Sequence, residues 1–523
     1  MKTFAVGVWL VICVVCGVRG IAQAGETYRN PVLFADYSDP DVIRDGNNYY
    51  LVASTFAFVP GIPILQSNDL VHWTILAHVL PRIEIAPQYD MVNGNRYGHG
   101  VWAPAIRKHG GLFYVYFPTP DEGIFVSTAK TIAGPWSKPV AVIAQPGLED
   151  PCPFWDDDGN AYLVHSKKGA GPLILHRMAP DGMSVLDDGK EIVRDAKELP
   201  TLEGPKLYKR DGYYYIFAPF GGVSTGAQVV LRSRSIYGPY EHRVVLAQGS
   251  TQVNGPHQGG YVESQDGKGW FIHFQSRGAH GRIAHLEPVR WEDDWPVMGE
   301  AAAGATVGQP VSSWTIPQHP GKDSEQRPQA SDEFSGAKLG PQWEWNHNPV
   351  DAGWSLTERR GFLRLKPEYA ADIFSARNTL TQMMQDEAFE FKTRVDLVGM
   401  KDGDHAGLAM FEQAASGVQV VQAGGTRSVG FFHGSERVDG AAQLAGGVVL
   451  LRVRVNGDTA SYSYSTDEGK TFSPIGPTVG LKFSWWKGSR PALFAFTTEQ
   501  GADAGQVDFD WAHYARVEPS VGR

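Results

Sequence analysis

Five times between residues 39 and 275 the chain repeats a short phrase: a proline, a glycine six to eleven positions later, then an aromatic-rich run suited to a strand. The copies run from Pro40 to Gly46 and Tyr49-Tyr50-Leu51, Pro104 to Gly110 and Phe113-Tyr114-Val115, Pro151 to Gly159 and Tyr162-Leu163-Val164, Pro205 to Gly212 and Tyr213-Tyr214-Tyr215, and Pro256 to Gly267 and Trp270-Phe271-Ile272. Their prolines lie 64, 47, 54 and 51 residues apart, a period that suits one antiparallel four-stranded blade per repeat. A second phrase follows the first in three copies: Ser67-Asn68-Asp69-Leu70 to Trp73, Ser127 to Ile132 with Gly134-Pro135-Trp136, and Ser233 to Ile236 with Gly238-Pro239-Tyr240. It reads as an outer strand and turn of the same blade. Asp45-Gly46, Asp158-Gly159, Asp211-Gly212 and Asp266-Gly267 read as hairpin turns, where glycine supplies positive φ. The expectation is an all-β, five-bladed propeller over residues 25–310.

After Trp295 the text changes. Residues 296 to 330 are rich in Ala, Gly, Pro, Ser and Gln, and residues 311–330 are expected to be a linker. From Phe334 onward alternating strands return without the proline phrase, at Phe362 to Leu365, Glu390 to Leu397, Val448 to Val455, Tyr462 to Ser465 and Val507 to Trp511. That pattern suits a concanavalin-like β-sandwich over residues 331–523.

The first 24 residues read as a secretory signal peptide: Lys2, an apolar run from Phe4 to Val18, then Ala22-Gln23-Ala24 as a cleavage site. The run is short of the ~20 residues a spanning helix needs, so no membrane span is expected and the protein should be secreted or periplasmic. Cys16 also permits a lipoprotein reading, although Val15 before it is bulky where a small residue is wanted. Removing residues 1–24 leaves Cys152 alone, so no intrachain disulfide can form. A small buried residue is expected there. The remaining chain holds 45 basic against 57 acidic residues, which argues against a nucleic-acid partner. The 15 Trp and 20 Tyr can offer flat faces to sugar rings as well as fill a core.

Carboxylates sit beside the repeated proline in three copies, at Asp39, Asp150 and Glu203. Equivalent positions of successive blades converge on one rim of the channel, so the three should share a pocket. Cleaving a glycosidic bond needs two carboxyl groups in opposite protonation states, and a third near the acid helps to keep it protonated. Asp41 lies two residues from Asp39, on the same side of an extended strand, and is the second candidate for the base. Glu149 alternates to the opposite face from Asp150 and reads as a structural partner.

The segments Tyr37-Ser38-Asp39-Pro40-Asp41-Val42-Ile43, Val101-Trp102-Ala103-Pro104, Glu149-Asp150-Pro151-Cys152-Pro153-Phe154 and Leu202-Glu203-Gly204-Pro205-Lys206-Leu207-Tyr208 resemble the signature segments of glycoside hydrolase family 43. The tail also resembles the sandwich that follows the propeller in β-xylosidase-type members. The resemblance implies Asp39 as general base, Asp150 as modulator of pKa and substrate orientation, and Glu203 as general acid. It also implies Trp102 as a platform, Phe56 as an aromatic wall, and Arg282 as the arginine that contacts base and sugar. His257, in Gly255-Pro256-His257-Gln258, resembles a family histidine near the channel axis that holds a hydrated calcium or similar ion; waters would complete the shell, since hard cations prefer oxygen. No zinc motif and no phosphate-binding glycine loop stands in the chain, so no organic cofactor is expected. The implied activity is an inverting exo-hydrolase removing xylose or arabinofuranose from hemicellulose-derived oligosaccharides, with the two sugars undecided. The rival is a non-catalytic carbohydrate-binding propeller with a lectin-like sandwich, which would need the aromatic faces but not all three acids.

Overall fold

The computed structural model describes Met1 and residues 26–319, 326–434, 436–501 and 505–518; the signal peptide expected over residues 1–24, with Cys13 and Cys16, otherwise lies outside the described residues. Five four-stranded antiparallel sheets follow one another along the chain, each with its strands in sequence order. Their first strands are Asp41–Asp45, Ala105–His109, Leu148–Trp155, Lys206–Arg210 and His257–Glu263. Four of the five repeated prolines directly precede that strand, and Pro151 lies within it. The glycines at 46, 159, 212 and 267 all have positive φ, as the expected hairpin turns require.

The period-2 alternation of the second strands explains why the sheets close into a ring. In Asn48–Val52, Tyr49 and Leu51 pack against Val262, Trp270 and Ile272 of blade 5, while Tyr50 and Val52 pack against Ile106, Val115 and Phe117 of blade 2. Blades 2 and 3 meet through Tyr116, Val126 and Leu163, blades 3 and 4 through Val164, Leu175 and Ile216, and blades 4 and 5 through Phe217, Val230 and Phe271. Each sheet therefore buries both faces, and each fully buried large apolar side chain contributes roughly 1.5–3 kcal/mol. Strand Thr27–Arg29 pairs with Ser313–Thr315, and the Asn30 side-chain amide donates to the carbonyls of Leu286 and Val311. Part of the segment expected as linker is thus a strand that fastens the chain start to blade 5.

Residues beyond Ser331 form two sheets, of eight and seven strands. Strand Ala388–Asp396 alternates buried and half-buried positions, and its Phe391 and Val395 face Leu408, Met410, Val420 and Leu493 of the other sheet across the core. The sandwich is not tethered loosely. Val59 and Trp345 exchange backbone hydrogen bonds, Asn348 bonds both backbone groups of Ile83, and Phe58 packs among Ile373, Phe411 and Phe494.

Candidate active site

Four of the five residues before the repeated prolines have positive φ; Ala103, before Pro104, does not. Asp39 and Asp150 have φ of 54° and 57°, and Gly204, in the same slot of blade 4, has 57°. A non-glycine residue in this left-handed region costs on the order of 1–3 kcal/mol and persists where the surroundings impose it. The twist sends the side chains of Asp39 and Asp150 into a pocket of about 310 Å³, which they line together with Glu203, Phe56, Trp102, His257 and Arg282. All seven residues expected at the site therefore meet in one place.

The same twist breaks the strand alternation assumed for two neighbouring acids. Asp41 does not line the pocket: it is fully buried, accepting the Ile106 N–H at 2.9 Å and the Arg107 guanidinium at 2.6 Å, and so ties blade 1 to blade 2. Glu149, expected on the opposite face from Asp150, instead lines the pocket. The strand bulges between Glu149 and Cys152, and the left-handed Asp150 brings consecutive acids to one side. Cys152 is buried and accepts hydrogen bonds from Arg107 and the Leu207 N–H.

The acids are held differently. Asp39 accepts the Ser54 hydroxyl at 2.6 Å and Arg282 Nη1 at 2.9 Å. Asp150 accepts three donors: Ser166 Oγ at 3.0 Å, the Gly204 N–H at 2.9 Å and Gln258 Nε2 at 3.1 Å. Its pKa is nevertheless raised, first by burial and then by Glu203. Glu149 is also raised, by burial and then by Asp150 and Glu203. Oxygens of Glu149, Asp150 and Glu203 lie within 4.8 Å of one another, and carboxyl groups this close cannot all ionise. Burial and this crowding therefore favour the protonated forms of Glu149 and Asp150. Glu203 is the most accessible of the three and hydrogen-bonds His257 Nε2 at 2.7 Å.

His257 faces the acid through one ring nitrogen, while its buried Nδ1 has no hydrogen-bond partner among the described residues. That free nitrogen can take a water of a hydrated cation, which fits the expected ion at one point.

Aromatic faces complete the walls. Phe56 and Trp102 have ring centroids 6.3 Å apart. Trp486 of the sandwich stands 6.2 Å from Trp102 and lies over the Arg282 guanidinium. Lys168 lies over the Trp102 ring, 5.7 Å from its centroid. Trp485 and Trp486 form the two-residue turn of a hairpin closed by Ser484 and Lys487, with φ of 53° and 63°. Such turns ordinarily use Asn-Gly. Here Trp485 stacks on Tyr97 at 4.3 Å, and the buried Lys487 donates to the carbonyls of Asp36 and Ser54. Asp36 in turn accepts the N–H groups of Gly488 and Arg282. The sandwich hairpin is thereby bolted to the loop that carries Asp39. Trp486, Lys168 and Gln258 were not singled out from the sequence; the adjacent tryptophans at 485 and 486 were the available signal.

A family model described as "Glycosyl hydrolases family 43" matches residues 28–296, and one described as "Beta xylosidase C-terminal Concanavalin A-like domain" matches residues 331–515. A putative beta-xylosidase of Xylanibacter ruminicola is 43% identical over 90% of this chain and 86% of its own. A non-reducing end alpha-L-arabinofuranosidase of Bacteroides ovatus is 32% identical over 68% of each chain. A solved family 43 structure from Bacillus licheniformis covers 94% of this chain and 100% of its own, at 27% identity and a TM-score of 0.83.

Proposed function

The chain belongs to glycosyl hydrolase family 43, and we propose that it is a secreted or periplasmic, inverting exo-glycosidase that removes terminal β-D-xylosyl or α-L-arabinofuranosyl groups from hemicellulose-derived oligosaccharides. The observation that carries this reading is the division of the pocket's acids. Asp39 of blade 1 is held by Arg282 and Ser54, while Glu203 of blade 4 stands beside Glu149 and Asp150, with carboxyl oxygens within 4.8 Å of one another.

In this mechanism Glu203 gives its proton to the glycosidic oxygen as the bond to the anomeric carbon breaks. A water attacks that carbon from the opposite face and passes its proton to Asp39, and solvent returns the proton to Glu203. Asp150, held by three donors, orients the Glu203 segment through the Gly204 N–H. His257 positions the acid directly, and a hydrated Ca²⁺ on its free Nδ1 would supply an electrostatic anchor for that imidazole. Phe56, Trp102 and Trp486 offer faces for the sugar, and the sandwich walls the pocket, which favours cutting at chain ends. The same cluster speaks against a purely binding propeller, because stacking needs no three crowded acids.

The test is hydrolysis of the two p-nitrophenyl pentosides with product anomers followed by NMR. Inverted configuration is expected; retained configuration refutes the mechanism, and a folded chain inactive on both pentosides refutes the substrate class. Export is tested separately by the intact mass of protein recovered outside the cytoplasm, which should begin at Gly25.

A further inference from the structure

Glu149 and Glu203 hold the same place in neighbouring blades. Each stands two residues before its blade proline and directly before the residue whose φ is 57°. The repeat therefore launches two glutamates into the pocket from equivalent backbone, and only Glu203 has a role in the reaction as derived above. Glu149 is 4% exposed and lines the cavity, yet no side chain among the described residues hydrogen-bonds it; its Oε1 accepts the Ala170 N–H at 3.1 Å. By contrast, Asp150 accepts hydrogen bonds from two side chains and one backbone N–H, of Ser166, Gln258 and Gly204. Held among the described residues only by backbone N–H groups of Ala170 and Gly169, the buried Glu149 carboxyl faces the cavity with hydrogen-bonding capacity that a sugar hydroxyl can use.

We propose that Glu149 is a specificity-determining residue of this pocket: its carboxyl hydrogen-bonds one hydroxyl of the terminal pentose. This rests on the pentosidase reading above. The charged surroundings agree with a neutral Glu149. Asp150, Glu203 and Asp39 stand on the pocket's acidic side; Arg282 is engaged with Asp39, His257 with Glu203, Lys206 is buried beside Asp150, and Lys168 lies over Trp102. None of these cations pairs with Glu149. Burial, and then Asp150 and Glu203, push its pKa up to about 9.

A hydroxyl donor of this kind predicts a specific pattern of losses. Glu149→Leu should lower kcat/KM on the preferred p-nitrophenyl pentoside about 10- to 100-fold, and Glu149→Gln, a neutral donor of the same shape, should recover most of that loss. Among singly deoxygenated pentosides, one should cost the wild type about tenfold or more yet cost Glu149→Leu little further, because the partner is already gone. A carboxyl kept protonated only in the fold makes the fold lose stability as pH rises from about 5 towards 9. The melting temperature of Glu149→Gln should therefore gain on the wild type across that range, which also shows that the variant is folded. If Gln is as damaged as Leu, or if every deoxy substrate loses equally in the wild type and the Leu variant, the proposal is overturned while the parent reading stands. A folded wild type that cleaves neither pentoside overturns both.

Discussion

The propeller and the sandwich contribute to one pocket by opposite means. The propeller supplies its acids through repetition: a left-handed residue before a blade proline recurs at Asp39, Asp150 and Gly204, and each copy aims a carboxyl at the same rim. Among the described residues the sandwich supplies a single pocket-lining side chain, Trp486, on a two-residue hairpin turn made of tryptophans. Repetition places chemistry accurately because every copy inherits the same strand geometry. A lone hairpin has to be held by its neighbours, here Tyr97, Asp36 and Ser54 of the propeller. The contrast implies that propeller variants should damage turnover, and that sandwich variants should damage stability or binding.

The largest expected effect lies on the propeller side. Asp39→Ala should cost roughly 10²- to 10⁴-fold in kcat on every substrate, since water activation is needed whatever the leaving group. Glu203→Ala should match that loss on oligosaccharides, whose leaving groups need a proton, but cost much less on aryl glycosides with good leaving groups. Steady-state kinetics over a series of leaving groups separates the two. Equal Glu203→Ala losses across the series would remove it as the acid and direct attention to Glu149, its counterpart in blade 3.

The same contrast explains what could be read in the sequence. The five-fold proline phrase announced the blades, and the acids beside it announced Asp39, Asp150 and Glu203, because repetition turns a local signal into a spatial one. Asp41 and Glu149 were misplaced for a single reason: strict strand alternation holds only for extended backbone, and the left-handed residues at 39 and 150 interrupt it. Arg282 and His257 were legible through family resemblance, which also implied the contact of Arg282 with the base Asp39; the pairing of His257 with Glu203 emerged only from the packing of blade 5 against blade 4. Trp486 is more than 400 positions from Asp39 in the chain, and no spacing rule connects a hairpin in the second domain to a rim in the first.

A sharper probe of the sandwich side is Lys487. It is buried, its ammonium bonds two propeller carbonyls and lies 3.3 Å from Asp36, and burial lowers its pKa. Lys487→Ala would strand the Asp36 carboxylate in a dry interface, which costs about 3–5 kcal/mol when one partner of a buried pair is removed. Calorimetry should show a clear fall in melting temperature, accompanied by loss of activity at temperatures where the hairpin detaches. A double variant with Asp36→Asn should recover part of the stability, because the stranded charge is then gone. An unchanged melting temperature for Lys487→Ala would mean that the interface is held without this bolt.

The smallest expected effect concerns Trp486 itself. Its ring lies beside Trp102 and over Arg282 at the pocket, and it is about half exposed, so it can stack on a sugar without carrying the propeller's fold. Stacking of this kind is worth about 0.5–1.5 kcal/mol beyond area burial, which corresponds to roughly 2- to 12-fold in binding. Trp486→Ala should therefore raise KM for xylobiose within that range while kcat changes less, the reverse of the Asp39→Ala pattern. Alanine keeps the left-handed strain at 486 and so tests the ring alone; Trp486→Gly removes ring and strain together and should melt higher than the alanine variant while binding no better. A fall in kcat with constant KM for Trp486→Ala would show that the hairpin positions the catalytic loop through Asp36, and the division of labour between the two domains would have to be redrawn.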